Sequence, residues 1–229
     1  MIWQNLNSIY KVFKSIFYIQ YNMKKTLYCI RHGYALHNKL FWDIGSRAYA
    51  EYRDTPLLEE GYNQAKTLNG IWNEIDDIQL VVVSPCIRTL DTATFVFKNR
   101  NIPMIAKDFL IEYPLGGYEI CNKRKNVDDL RYMYPYINFD IYDKELKWSD
   151  EKETIPKLNN RIDEMLDWIG NRRETRIAIV SHSSFIGQFK DKKIGDENNE
   201  LRHCYPYKIE ANYSSLKKFI SMKKLKANM

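Results

Sequence analysis

Two short runs constrain the core this chain can build. Residues 78–85, IQLVVVSP, and 176–184, RIAIVSHSS, are almost continuously apolar, rich in Val and Ile, and end in polar residues. A strand apolar on both sides must be buried on both faces, which is the condition of strands in a parallel sheet. Such a sheet needs helices over it, and the intervening segments supply them. Residues 61–75 put Ala65, Leu68, Trp72 and Ile75 on one helical face, and residues 88–100 read as a second helix. Residues 158–170 place Leu158, Ile162, Met165, Leu166 and Ile169 on one face, with Gly170 able to end the helix. Residues 26–30 and 102–106 are further strand-like runs. This alternation predicts an α/β chain, a three-layer fold with a mostly parallel central sheet flanked by helices. Residues 113–150, rich in Tyr, Asp, Asn and Lys, show no clean period.

At 229 residues, 45% hydrophobic and 28% charged, the chain suits one domain with a substantial core. Its net charge of +6 favours anionic ligands without naming one. The Lys and Arg residues are spread along the chain, and no zinc-finger, RNP1 or basic-zipper pattern occurs, so nucleic acid is not the expected ligand. Four widely spaced cysteines, Cys29, Cys86, Cys121 and Cys204, form no CxxC pair. They read as reduced thiols, which sets the expectation of a cytoplasmic protein. No run approaches the roughly 18 apolar residues of a membrane span, so no stable membrane insertion is expected. Residues 1–22 carry apolar positions at helical spacing but lack the layout of a signal peptide. They read as a dispensable N-terminal extension, residues 23–213 as the domain, and residues 214–229 as a basic, solvated tail. The sequence sets no oligomeric state.

Three strand-like runs end in chemistry: Arg31-His32-Gly33, Ser84-Pro85 followed by Arg88, and Ser181-His182-Ser183. Ligands of open α/β sheets bind at the carboxyl ends of strands, so these ends can converge on one pocket. Two imidazoles, two guanidiniums and backbone amides in one pocket suit a phosphate. His32 is able to form a covalent phosphoryl intermediate, and Gly33 lets backbone approach closely. Arg31 and Arg88 suit bidentate contact with phosphate oxygens. His37 and His203 read as ordinary structural histidines. No HExxH, no paired carboxylate-histidine spacing and no GxxxxGK[ST] occurs, so neither a metal centre nor a P-loop is indicated. SPCIRT is too short and too poor in glycine to be a thiolate phosphatase loop.

Taken together, these residues resemble the histidine phosphatase superfamily, with its phosphoglycerate mutase-like fold. Arg31-His32-Gly33 matches the signature, and Asn38 stands where a phosphate-binding Asn is often placed. DTPLLEEGYNQA (54–65), SPCIRTLDTA (84–93) and VSHSSF (180–185) are similar to its further motifs, in order. The segments 111–124, 134–140 and 146–154 resemble the phosphoglycerate mutase-like phosphatases of plants and fungi, which carry a Cys-Asn/Asp-Lys/Arg-Arg signature after the acid loop. Three positions depart: Leu58 replaces a Thr, which leaves the following helix without its usual N-cap; Tyr34 stands where glycolytic mutases carry Glu; Ser184 replaces a Gly.

The resemblance implies a phosphomonoesterase working through phosphohistidine at His32 on a small phosphorylated substrate. His182 joins it in catalysis, and Arg31, Asn38, Arg88, Gly33 and Ser183 bind the phosphate. Glu112 is the implied acid-base, with Glu119 the alternative carboxyl. Neither metal nor cofactor is implied. A phosphoglycerate mutase-type transferase and a non-catalytic phospholigand-binding protein are the alternatives on this scaffold. The Tyr-rich stretch 113–150 is expected to cap the pocket and set specificity.

Overall fold

The computed structural model describes residues 24–141, 143–191, 194 and 201–212. The expected N-terminal extension and basic tail lie outside the described residues. The helices are α1 (Leu36–Ile44), α2 (Arg47–Glu51), α3 (Glu59–Ile71), α4 (Ile87–Val96), α5 (Val127–Met133), α6 (Ile155–Gly170) and α7 (Ser183–Asp191). The strands are β1 (Lys24–Arg31), β2 (Leu80–Val83), β3 (Met104–Ala106), β4 (Asn138–Phe139), β5 (Arg176–Ser181) and β6 (Pro206–Asn212). They form one sheet in the order β4-β3-β2-β5-β1-β6, parallel except for β6, which runs antiparallel to β1.

The two-sided burial of the strands follows from their alternation. Tyr28, Ile30, Val81, Val83, Ala178 and Val180 face one core, which α3, α4 and α5 cover with Ala65, Leu68, Leu90, Ala93, Val96 and Leu130. Leu27, Cys29, Leu80, Val82, Ile177 and Ile179 face the other, covered by Leu158, Ile162, Met165, Leu166 and Ile169 of α6 and Phe185, Ile186 and Phe189 of α7. Every apolar position expected on the inner face of α6 is buried. This is the three-layer arrangement read from the sequence, with a mostly parallel sheet at its centre.

The helix expected over 61–75 instead begins at Glu59 and ends at Ile71, with Trp72 and Ile75 still buried beyond it. Leu58 cannot cap α3 with its side chain. The start is set by other means. The Leu58 amide donates to the Tyr34 carbonyl at 3.0 Å, and Glu59 and Glu60 place negative charge in the first turn, where the helix dipole favours it. The stretch without a clean period carries a short 3-10 turn at Ile120–Asn122, then α5 and β4.

Candidate active site

Register alone brings the three strand ends together. Arg31 of β1 is paired with Ser181 of β5, and Val83 of β2 with Val180. The next residue on each strand continues the ladder: the His32 amide donates to Ser181 O at 3.0 Å and the Ser84 amide to Val180 O at 2.9 Å. His32, Ser84 and His182 therefore leave adjacent strands at one level. The segment 54–65 fixes the loop after His32. Gln64 Oε1 accepts from the Tyr34 amide at 2.8 Å, and Thr92 Oγ1 accepts from the Gly33 amide at 2.9 Å. A Cβ on Gly33 would lie 2.6 Å from the Gly61 carbonyl oxygen, so two glycines are needed where these backbones meet.

All four histidines of the chain gather at this point. The His32 ring lies 5.3 Å from that of His182, 5.6 Å from His37 and 5.6 Å from His203. His32 Nδ1 is 2.8 Å from the Gly33 carbonyl oxygen, which can only accept, so Nδ1 carries the proton and Nε2 keeps its lone pair. His203 Nδ1 donates to the His32 carbonyl at 2.6 Å, and His37 Nδ1 meets Thr55 Oγ1 at 2.6 Å. His182 Nε2 meets Ser84 Oγ at 2.8 Å, and its Nδ1 is buried without a partner. Burial, and after it the Arg88 charge, holds His32, His37 and His182 well below the usual imidazole range. The rings are thus neutral at physiological pH. His37 and His203, read from the sequence as structural histidines, stand beside His32. Both touch the His32 ring, because α1 turns back over the strand end and residues 201–204 run beside Arg31.

Arg88 is 1% exposed and lies at the start of α4. Its Nη1 donates to Cys121 O at 2.7 Å and its Nη2 to Asn122 Oδ1 at 2.8 Å, both neutral oxygens, and its buried Nε has no partner. Arg31, also buried, donates through Nη1 to Leu201 O at 2.7 Å. Asp54, with φ of 44°, bridges the amides of Ile87 and Lys125 and so joins the Arg88 helix to the middle segment. Burial pushes its carboxyl up to about 6. Arg88 Nε is an orphaned buried donor, worth about 1–3 kcal/mol of unmet hydrogen bonding that an anion beside it would supply. Burial raises the thiols of Cys86 and Cys121 to about 12, so neither is a nucleophile.

Glu112 is held by α7. Its Oε1 accepts from the amides of Tyr113 and Phe185 at 2.8 and 2.9 Å, and Oε2 from the Ser184 amide at 3.2 Å. Desolvation nevertheless raises its pKa above the ordinary 4.5, with these amides and the Arg88 charge opposing. Glu119 is also raised by burial, but Lys152 pairs with it at 3.1 Å. Arg161, paired with Glu153 at 2.6 Å, braces the acid segment by donating to the carbonyls of Phe109 and Ile111.

Residues 27–207 match the family model of the histidine phosphatase superfamily, branch 1. The chain belongs to that superfamily. Over 200 residues it is 28% identical to phosphoglycerate mutase-like protein 1 of Arabidopsis thaliana, covering 71% of this chain and 69% of the relative. A 100-residue stretch, 44% of this chain and 33% of the relative, is 38% identical to a probable phosphatase of Schizosaccharomyces pombe. Among solved structures, phosphoglycerate mutase from Bacillus anthracis superposes with a TM-score of 0.55 at 17% identity, covering 85% of this chain and 91% of that one. The ecdysone phosphate phosphatase of Bombyx mori gives 0.50 at 14% identity, covering 81% and 88%. These two likenesses concern the fold.

In this superfamily member the sequence-expected residues Arg31, His32, Gly33, Arg88 and His182 fall together at the strand ends. Asn38 lies on the first turn of α1, where its Oδ1 accepts from the Ala35 amide at 3.0 Å. Ser183 opens α7, but the amides of the two residues after it are already taken by Glu112. Sequence reasoning missed Asn122 as the second holder of Arg88, although it belongs to the Cys-Asn-Lys-Arg run. It also missed Thr55 against His37 and Ser84 against His182. The remaining Arg of that run, Arg124, is fully buried and paired with Asp108 at 2.7 Å, so it anchors the segment.

Proposed function

We propose that this superfamily member is a phosphomonoesterase that needs no metal and works through a phosphohistidine at His32. The observation that carries the reading is the neutral His32 ring, its Nδ1 committed to the Gly33 carbonyl and its Nε2 lone pair open, beside an Arg88 with no carboxylate partner among the described residues. In the first step His32 Nε2 bonds to phosphorus and the P–O bond to the leaving alcohol breaks. Glu112, protonated, gives its proton to the departing oxygen. In the second step Glu112, now a carboxylate, takes a proton from water as that oxygen bonds to phosphorus and the N–P bond breaks, releasing inorganic phosphate. Arg31, Arg88, His182 and Asn38 hold the equatorial oxygens, Gly33 and Ser183 line the same pocket, and positioning with charge stabilisation dominates such transfers.

Glu112 fits the acid-base role better than Glu119. It feels the Arg88 charge and has no cation bound to it among the described residues, whereas Glu119 is engaged by Lys152. The test is hydrolysis of p-nitrophenyl phosphate across pH 5 to 8 in EDTA. Turnover that survives EDTA and vanishes in His32→Ala supports the proposal. Loss of turnover in EDTA, or turnover retained by His32→Ala, overturns it.

A further inference from the structure

Helices α1 and α2 form a hairpin over the phosphate end of the sheet. The first turn of α1 carries His37, whose ring is 5.6 Å from that of His32, and α2 packs on the 120–122 turn that holds Arg88. From His37 a file of rings runs outward. Tyr49 lies 5.9 Å from His37, Phe41 stacks on Tyr49 at 5.4 Å and 17°, and Trp42 meets Phe41 edge-on at 6.2 Å. Burial falls along the file: His37 is 6% exposed, Tyr49 partly buried, Phe41 40% exposed and Trp42 82% exposed. Phe41 and Trp42 stand three and four residues after Asn38, on the same side of the helix. Tyr34, edge-on to His203 at 5.7 Å, adds a ring on the other side of His32.

An exposed indole next to a partly exposed phenyl ring offers apolar surface that a ligand can cover, and here the rings run outward from the His32 pocket. A phosphomonoester seated at His32 must project its alcohol half out of that pocket. Flat faces at offset and edge-on geometry bind another ring by stacking, in addition to the area they bury. We propose that the Tyr49–Phe41–Trp42 file is the subsite for the leaving group, and that the substrate's alcohol half carries an aromatic ring. This rests on the phosphomonoesterase reading for its orientation.

The test separates the two by using ligands that cannot turn over. Binding of (2-naphthylmethyl)phosphonate and of methylphosphonate to the full chain is measured by calorimetry. Both present the same anion, and only one carries a ring. The expected result is about tenfold tighter binding of the naphthyl ligand. That ratio is expected to drop below about threefold in a Phe41→Ala/Trp42→Ala variant whose circular dichroism matches wild type. Equal affinities in the wild type, a ratio that survives the double substitution, or no binding of either ligand overturns the subsite. Failure to hydrolyse any phosphate ester, with the ratio intact, would instead count against the phosphomonoesterase reading alone.

Discussion

Asn122 Oδ1 accepts from Arg88 at 2.8 Å while its Nδ2 donates to the Pro114 carbonyl at 3.3 Å, so one buried amide joins the guanidinium to the segment that carries Glu112. Two other guanidiniums of the core differ: fully buried Arg124 is neutralised by Asp108, and partly buried Arg161 by Glu153. Arg88 is fixed by neutral oxygens alone, which leaves its charge for a ligand. Asn122→Leu keeps the volume and removes both bonds. The expected outcome is a fall of about 100-fold in kcat/KM with weaker inhibition by inorganic phosphate. Asn122→Asp, which sets a carboxylate against Arg88 and takes up its charge, should lose at least as much activity and phosphate affinity as the Leu variant. Steady-state kinetics on both variants checks this, and a wild-type rate in the Leu variant contradicts it.

The pH profile of kcat/KM follows from two opposite shifts. Burial and Arg88 push His32 well below the usual 6.5, so the nucleophile stays neutral into acid. Burial pushes Glu112 above 4.5, so its protonated form persists further toward neutrality. The active state, neutral His32 with protonated Glu112, is therefore favoured at acidic pH, and the rate falls on the alkaline side as Glu112 ionises. Glu112→Gln should lose about 10²–10⁴-fold with an alkyl phosphate and flatten the alkaline limb. An alkaline limb unchanged in that variant would assign it to another group.

Stability should fall as the pH drops from about 7.5 to 6. His32, His37 and His182 have folded pKa values depressed below the value of about 6.5 that they take when unfolded. Below that point the unfolded chain takes up protons that the folded chain refuses. Each histidine contributes a slope of at most about 1.4 kcal/mol per pH unit. Asp54 and Glu112 work the other way, since a raised pKa lets the folded state take a proton first; for Asp54, pushed up to about 6, this acts mainly below pH 6. Urea midpoints at pH 7.5, 6.75 and 6 measure the sum, and a midpoint that rises as pH falls is the opposite result.

Gly61 and Gly70 both belong to α3, and the structure separates them sharply. A Cβ on Gly61 would run into the Tyr34 carbonyl and amide, which are backbone and cannot swing aside, whereas one on Gly70 meets nothing within 4 Å. Gly61→Ala should destabilise by about 1–3 kcal/mol and disturb the His32 loop. Gly70→Ala should be neutral or stabilise by up to about 1 kcal/mol. Denaturant unfolding of the two variants gives the comparison directly.

Much of this was legible in the sequence because periodic burial leaves a pattern. β2, β5 and α6 announce themselves through continuous or helical apolar spacing, and the chemistry at three strand ends pointed to one pocket. The helices α1, α2 and α5 are five to nine residues long, too short to show a regular apolar stripe, so periodicity passes them by. His203 reaches His32 across 171 positions through the path of residues 201–204 beside β1, which no local pattern encodes. Leu58 was legible as a position without a side-chain cap, which the structure bears out; what defines the helix start instead, a tertiary bond to Tyr34 and two acidic residues, was not.

The measurement that tests the central claim most directly is rapid mixing of enzyme with a phosphate ester in EDTA, an alkaline quench that preserves phosphohistidine, and mass spectrometry of the peptide carrying Arg31, His32 and Gly33. The account predicts one added phosphoryl group on His32 in wild type, a higher yield in Glu112→Gln if water attack is slowed more than transfer to His32, and none in His32→Ala. Turnover in wild type with no phosphoryl group on His32 at any mixing time, or with the group on another residue, would contradict it.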